Sequence, residues 1–162
     1  MEKRRIIFIG IENFNREYPG KKILSERLAK EGFYVLLGHK SLIRSIIKIF
    51  PLKNQIYIDK GVRKNSANRF FKAKKDGLHV FSFDEEGLIQ QDVKVFLKNS
   101  HEPLAVNSID GIFSWGDNHS KILKKAGYSS TQIIKTGNPR FDPYKIKNVS
   151  KAKESKNKEF IL

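Results

Sequence analysis

The chain has 162 residues, no cysteine and a formal net charge of +15 at pH 7. This length is enough for one domain with a substantial core, and no apolar run approaches the roughly 20 residues of a membrane-spanning helix. The lack of cysteine excludes a disulfide framework, and the N-terminus lacks the apolar segment of a signal peptide. We therefore expect a cytoplasmic protein.

The basic charge favours phosphate-bearing partners, such as nucleic acid, anionic lipid headgroups or nucleotide-activated substrates. Lys and Arg are spread over the chain, and no RNA-binding signature with interleaved aromatic residues occurs. Nucleic acid therefore ranks behind an anionic membrane surface as a partner. A solvated lysine-rich surface explains the composition equally well.

Strand-like and helix-like segments alternate along the chain. Continuous apolar runs predict strands covered on both faces, and helical periodicity with a closing glycine or proline predicts the helices between them. The predicted strands are 5–12, 33–38, 55–58, 79–83, 109–115 and 133–136. The predicted helices are 21–32, 42–50, 65–76, 90–98 and 118–126, with 13–20 as a polar loop and Ser41 as the cap of the second helix.

This alternation predicts right-handed crossovers and a parallel sheet. We expect an α/β fold, a three-layer Rossmann-like domain over residues 1–144 with a mostly parallel sheet of about six strands. Residues 145–158 are lysine-rich without apolar periodicity, which predicts a solvated basic linker. Residues 159–162 are similar to the truncated start of a second domain, so we infer a fragment or a shortened reading frame.

Polar residues follow every predicted strand. The carboxyl ends of parallel strands share one edge of the sheet, where ligands bind, so we expect these residues to converge on one crevice. Alternatively, loops are polar in any protein, and Asp or Asn there cap the following helices. The residues are Glu12, His39, Lys40, Asp59, Lys60, Asp84, Glu85, Glu86, Trp115, Gly116, Asp117, Thr136, Gly137 and Asn138.

Three of these residues, Asp84, Glu85 and Glu86, form a run of carboxylates before Gly87. One of them could act as base, nucleophile or acid toward a sugar. We expect the adjacent charges to raise one another's pKa. The alternative is a helix N-cap combined with an ion pair to Lys40 or Lys60.

Arg140 follows Gly137-Asn138-Pro139 and is a candidate fork for a phosphate or carboxylate. It could equally form a salt bridge with Asp142. Other motifs are missing: the chain has no dinucleotide fingerprint, phosphate-binding P-loop or nucleophile elbow. Its four histidines show no metal-ligand spacing with one another, so we predict no metal site and assign no cofactor.

Several motifs occur together in a recognisable order. They are I-E-N-F-N-R-E at 11–17, G-H-K at 38–40, I-Y-I-D-K at 56–60, D-E-E-G at 84–87, F-S-W-G at 113–116 and T-G-N-P-R-F-D at 136–142. In this order they resemble the N-terminal half of the bacterial surface carbohydrate biosynthesis protein family. The resemblance covers nearly the whole chain.

That family is similar to GT-B type glycosyltransferases, in which two Rossmann-like domains face each other across a cleft. The resemblance implies a role in building lipopolysaccharide, capsule or another surface glycan. It implies that this N-terminal domain binds a glycan or glycolipid acceptor, with the nucleotide-activated sugar held by a second domain that the chain lacks. It also implies that the basic surface suits work at the anionic inner face of the cell membrane.

Two other functions stay open. One is a non-catalytic basic module that binds anionic partners, either a membrane surface or nucleic acid. The other is an inactive gene remnant. The sequence does not choose the sugar, the acceptor or the linkage.

Overall fold

The computed structural model describes residues 4–50, 53–85, 101 and 103–145. In these ranges the strands are β1 (Ile6–Ile11), β2 (Tyr34–His39), β3 (Ile56–Asp59), β4 (His79–Ser82), β5 (Gly111–Ser114) and β6 (Ile133–Lys135). The α-helices are α1 (Phe14–Lys30), α2 (Lys40–Ile49), α3 (Ala67–Lys75), α4 (Pro103–Asn107) and α5 (Asp117–Lys125). Short 3₁₀ turns cover Lys64–Ser66 and Pro139–Phe141.

The six strands form one sheet in the order β2-β1-β3-β4-β5-β6, and every neighbouring pair is parallel. This confirms the predicted α/β fold with three Rossmann-like layers. The chain moves outward from β1 to β2 and then crosses back to β3 on the other side of β1. The order therefore reverses between β1 and β3, which is the place where open α/β sheets bind ligands.

Side chains of the sheet alternate between two cores. Ile7 and Ile58 point to the face covered by α1, where Leu24 packs on them. Phe8 and Val80 point to the opposite face, where they join buried residues of α2, α3, α4 and α5. Both faces of the sheet are apolar, which explains why the strands read as continuous apolar runs rather than as an alternation.

Two helix starts differ from the prediction. Helix α1 begins at Phe14, and the loop predicted over 13–20 is wrong: the Asn13 side chain caps the helix by accepting from the Arg16 backbone N–H at 3.1 Å. Helix α2 begins at Lys40, so its cap is His39 rather than Ser41. Each cap is a polar residue at or close to the end of the preceding strand: His39 is the last residue of β2, and Asn13 lies two residues after β1. Almost no loop therefore separates strand and helix.

Two further differences concern the segment between β4 and β5. The helix predicted over 90–98 lies outside the described residues. The short helix α4 was not predicted, because its five residues are too few to show a helical period.

Candidate functional site

A network of charged side chains, which we call the charged cluster, lies at the carboxyl ends of β1, β2, β3 and β4 and on helix α1. Its members are Glu12, Glu17, Lys21, Lys40, Lys60 and Glu85. It lies where the strand order reverses. Four of its members were predicted at this edge, and two, Glu17 and Lys21, were not.

Lys21 is the centre of the charged cluster and is only 2% exposed. Its Nζ lies 2.8 Å from the Gly10 carbonyl oxygen, 2.9 Å from Glu17 Oε2 and 2.7 Å from Glu85 Oε1. An ammonium group has three N–H donors, so these three acceptors satisfy it fully. Lys21 thus ties helix α1 to the ends of β1 and β4.

Glu17 organises the turn between β1 and α1. Its carboxylate accepts the backbone N–H groups of Glu12 at 3.0 Å and Asn13 at 3.3 Å. Burial alone would raise the pKa of Glu17, but the Glu12 N–H and the Lys21 ammonium lower it to about 2. Glu17 therefore stays ionised and sits in the first turn of α1, where the helix dipole favours negative charge.

Glu12 lies at the outer rim of the charged cluster and bridges two lysines. Its carboxylate contacts the ammonium groups of Lys40 and Lys60, which follow β2 and β3. Hydrogen bonds from Lys40 and then Lys60 lower the pKa of Glu12 to about 2. The predicted convergence of these three residues is therefore present in the geometry.

Glu85 is the most unusual carboxyl of the charged cluster. It is 8% exposed, Oε1 pairs with Lys21, and Oε2 is buried without a hydrogen-bond partner among the described residues. Burial raises the pKa of Glu85, the Glu17 carboxylate raises it further, and Lys21 opposes both. Such a carboxyl group holds its proton more strongly than an exposed one does, which is a property of carboxyl groups that act as acids or bases.

Asp84 behaves in the opposite way. Its Oδ2 accepts a hydrogen bond from His119 Nε2 at 2.8 Å and lies 3.5 Å from His101 Nε2. Burial would raise its pKa, but the two histidines lower it to about 2. The expectation that adjacent carboxylates raise one another's pKa is therefore wrong for Asp84, because its oxygens face histidines rather than the neighbouring acid.

The surroundings of Asp84 fix its orientation. The backbone N–H of Trp115 donates to His119 Nδ1 at 3.1 Å, so His119 carries its hydrogen on Nε2 and donates it to Asp84. The Trp115 indole N–H donates to the Asp84 backbone carbonyl at 2.9 Å. Asp84 thus joins the end of β4 to the start of α5, in a backbone conformation with φ of 45°.

The segment after β6 packs beside the residues that follow β5, at the carboxyl edge of the sheet. Gly137, with φ of 84°, donates its N–H to the Ser114 carbonyl at 3.0 Å. Asn138 is 7% exposed: its Oδ1 accepts the Arg140 backbone N–H at 2.9 Å, while its Nδ2 is buried without a partner among the described residues. The Phe141 ring packs edge-on against Trp115 at 5.5 Å between centroids. These contacts hold the predicted site residues Thr136 to Asn138 beside Trp115.

Other predicted residues have different surroundings. His39 is exposed and acts as the cap of α2. Asp59 is buried, where it accepts from Tyr57 Oη at 2.6 Å and from Arg69 Nη2 at 2.7 Å. Gly116 is the residue before α5. Glu86 and Gly87 lie outside the described residues.

The residues that sequence reasoning missed are Glu17, Lys21, His101, His119 and Tyr128, whose hydroxyl lies 2.8 Å from His101 Nδ1. The spacing of four between Glu17 and Lys21 is a usable signal, since such residues share a helix face. It was lost because 13–20 was read as a loop. The histidines gave no signal, since their spacing to Asp84 along the chain has no pattern.

Comparisons of the chain with protein families, with curated proteins and with solved structures found no match. The fold defines the class of protein. It is an α/β protein with a six-stranded parallel sheet, and its charged cluster lies where the strand order reverses between β1 and β3. Within the part of the chain that the structure describes, no helix is long and apolar enough to cross a membrane. Those same residues contain no group of three His, Cys, Asp or Glu placed to hold a metal ion.

Proposed function

We propose that the chain is the acceptor-binding domain of a nucleotide-sugar-dependent glycosyltransferase of surface polysaccharide or lipopolysaccharide biosynthesis. The observation that carries the proposal is Glu85, a buried carboxyl with a raised pKa and one unpartnered oxygen at the carboxyl edge of the sheet. Asp84 and Glu85 of the motif at 84–87 lie at this edge, and so do the motifs at 113–116 and 136–142; all three motifs resemble surface carbohydrate biosynthesis proteins.

In this proposal Glu85 is the general base. Its Oε2 accepts the proton of an acceptor hydroxyl while the hydroxyl oxygen attacks the anomeric carbon of the donor sugar, and the nucleotide leaves with the bonding electrons. Lys21 holds Oε1, so the free oxygen keeps one orientation. The donor would be bound by a second domain, as in the family that the motifs resemble.

The other members of the edge would bind the acceptor. Lys40 and Lys60 can donate to hydroxyl or acidic groups of a glycan, and Trp115, which is half-buried, offers an aromatic face to a sugar ring. Asp84 would not touch the substrate. It would fix Trp115 through its backbone carbonyl and through His119.

The test uses the single tryptophan of the chain, whose indole N–H gives one resonance in a ¹H–¹⁵N NMR spectrum. We expect titration with oligosaccharide fragments of a surface glycan to shift that resonance and those of Lys60 and Asn138. Glu85→Gln should weaken binding about tenfold, since a buried hydrogen bond to an ionised group is replaced. Asp76→Asn on the exposed end of α3 is the control. A panel of glycans that leaves all three resonances unmoved would refute acceptor binding.

A second candidate function is binding to an anionic membrane surface, and one exposed surface favours it. Strand β2 and helix α2 contact each other and expose large apolar side chains, a surface that we call the β2–α2 patch. Its members are Tyr34, Leu36, Leu42, Ile49 and Phe50, between 40% and 70% exposed. Apolar patches of this kind, beside basic residues, suit a lipid interface.

The cations around the β2–α2 patch also favour binding to an anionic membrane. Arg4 stacks over the Tyr34 ring at 5.8 Å, and α2 carries Lys40, Arg44 and Lys48 without an acidic residue. We expect co-sedimentation with phosphatidylglycerol vesicles that weakens with salt and is absent with phosphatidylcholine. The double variant Leu42→Ser/Ile49→Ser should lower it at least tenfold, whereas Leu104→Ser on α4 should not. Equal sedimentation of both variants would eliminate this candidate.

A further inference from the structure

A cavity of about 450 Å³ lies between helix α1 and the sheet, on the face opposite to the Asp84 histidines. Its walls are mostly apolar and include Ile7, Leu24, Ile58, Phe83, Phe113 and Ile134. The volume is within the roughly 300–1,000 Å³ of small-molecule sites. No member of the charged cluster lines it.

The cavity is built on a broad part of the sheet. Its lining residues come from five adjacent strands, β1, β3, β4, β5 and β6. Apolar walls and a volume of about 450 Å³ suit a hydrocarbon group of medium length.

Part of the cavity lining is polar. Thr136, Asn138 and Asp142 line it together with the apolar side chains. The buried Asn138 Nδ2 has no partner among the described residues, and an unsatisfied buried donor is expensive unless a ligand accepts from it. An ester carbonyl or a hydroxyl oxygen meets that need. The Asp142 carboxylate can accept from a hydroxyl and would repel an anionic head group.

From these observations we infer that the cavity binds one single-chain amphiphile, with its hydrocarbon tail against the apolar walls and a neutral, hydroxyl-bearing head group at Asn138 and Asp142. The inference rests on the proposed function only in assigning this molecule as the lipid part of the sugar acceptor. The binding site itself follows from the cavity. Because Thr136 to Asn138 also border Trp115, the head group would emerge beside the charged cluster.

The test measures binding of a medium-chain monoacylglycerol, below its critical micelle concentration, by NMR and by Trp115 fluorescence. We expect saturable one-to-one binding, at least tenfold weaker binding of the fatty acid anion of equal length, and no binding of glycerol alone. Shifts should map to Phe83, Phe113 and Ile134. Binding that begins only at micelle formation, or shifts confined to the β2–α2 patch, would overturn the inference.

Two variants sharpen the test. Ile134→Phe narrows the cavity and should abolish binding, while Leu104→Phe adds the same volume at an exposed site and should not. Asn138→Asp keeps Oδ1 for the Arg140 N–H but removes the donor, so binding should weaken roughly tenfold. Unchanged affinity in Ile134→Phe and Asn138→Asp, both still folded by NMR, would overturn the inference.

The monoacylglycerol experiment contains no sugar donor and no glycan. Its result therefore does not depend on whether the proposed function is right. Monoacylglycerol binding without any response to oligosaccharides would support the cavity and refute the glycan site. A dimer that dissociates in Ile134→Phe, as measured by light scattering, would instead assign the cavity to a second copy of the chain and overturn the inference.

Discussion

Asp84 and Glu85 are neighbours in the chain, but they belong to two different regions of the molecule. Strand β4 ends at Ser82, and the chain leaves the extended conformation at Asp84, which has a φ of 45°. The Asp84 side chain contacts His119 of α5, whereas the Glu85 side chain contacts Lys21 of α1. Asp84 meets two histidines that keep it ionised. Glu85 meets one lysine that is shared with Glu17, and its pKa is raised.

The difference shows that adjacent carboxylates need not act as one group. The turn after β4 directs the two side chains to different helices, so the electrostatics of each is set by different neighbours. One of them is suited to holding structure and the other to exchanging a proton. Each of the following variants tests one side of that division.

The largest effect is expected from removing Asp84. Asp84→Ala leaves the buried His119 Nε2–H without its acceptor and frees the loop that carries Trp115. We expect a loss of about 3 kcal/mol in the free energy of unfolding at pH 7, measured by urea denaturation. Asp117→Ala removes an exposed carboxylate that pairs with Lys135 and should leave the free energy of unfolding nearly unchanged. Equal losses in both variants would contradict a structural role for Asp84.

A smaller effect is expected at Gly20, on the side of Glu85. A Cβ there would lie 2.2 Å from the Pro139 carbonyl oxygen, because the turn that holds Asn138 packs directly on α1. Overpacking of this kind costs about 2 kcal/mol, more than the roughly 1 kcal/mol that alanine gains in a helix. Gly20→Ala should therefore destabilise the protein by about 1 kcal/mol in urea denaturation.

The control for Gly20 is Gly38 in strand β2, where a Cβ would meet its nearest atom, Ile43 Cδ1, at 3.7 Å. That is ordinary contact, so Gly38→Ala should be neutral within about 0.5 kcal/mol. A neutral Gly20→Ala would mean that the segment after β6 is not held against α1.

The smallest effect on stability is expected from Glu85→Gln. Burial makes the ionised Glu85 carboxylate less favourable in the folded state than in the unfolded chain, so the neutral amide removes that cost, and Lys21 keeps Glu17 and the Gly10 carbonyl as partners. We expect no loss of unfolding free energy at pH 7, in contrast to Asp84→Asn, which should lose about 2 kcal/mol. If Glu85→Gln lowered the free energy of unfolding as much as Asp84→Asn does, the two carboxylates would not have different roles, and the account would be contradicted.

Most of the fold could be predicted from the sequence, because apolar runs such as Ile6–Ile11 and closing glycines such as Gly77 are strong local signals. The parallel sheet followed from the alternation of strands and helices. Helix starts were less predictable: α1 contains Pro19 and begins with polar residues, so its first turns look like a loop. Its true start depends on Asn13 and Glu17 satisfying the free N–H groups.

The candidate site was predictable in part. Parallel strands bring their carboxyl ends together, and this rule alone placed Glu12, Lys40, Lys60 and Glu85 at one edge. It does not specify which way each side chain turns, so Asp59 and Asp84 were grouped with them although both face the other core. Partners far along the chain, such as His119, have no signal in a single sequence.

The most direct measurement is an NMR titration of the two carboxyl carbons, since the central claim is that Glu85 exchanges a proton and Asp84 does not. Asp84 should titrate at about 2, below its ordinary 3.8, so its stabilisation is full above pH 3.8 and is lost as the pH falls to about 2. Glu85 should titrate above its ordinary 4.5, so its ionisation lowers stability as the pH rises through that window. A pKa of Glu85 at or below 4.5, or of Asp84 at or above 3.8, would contradict the account.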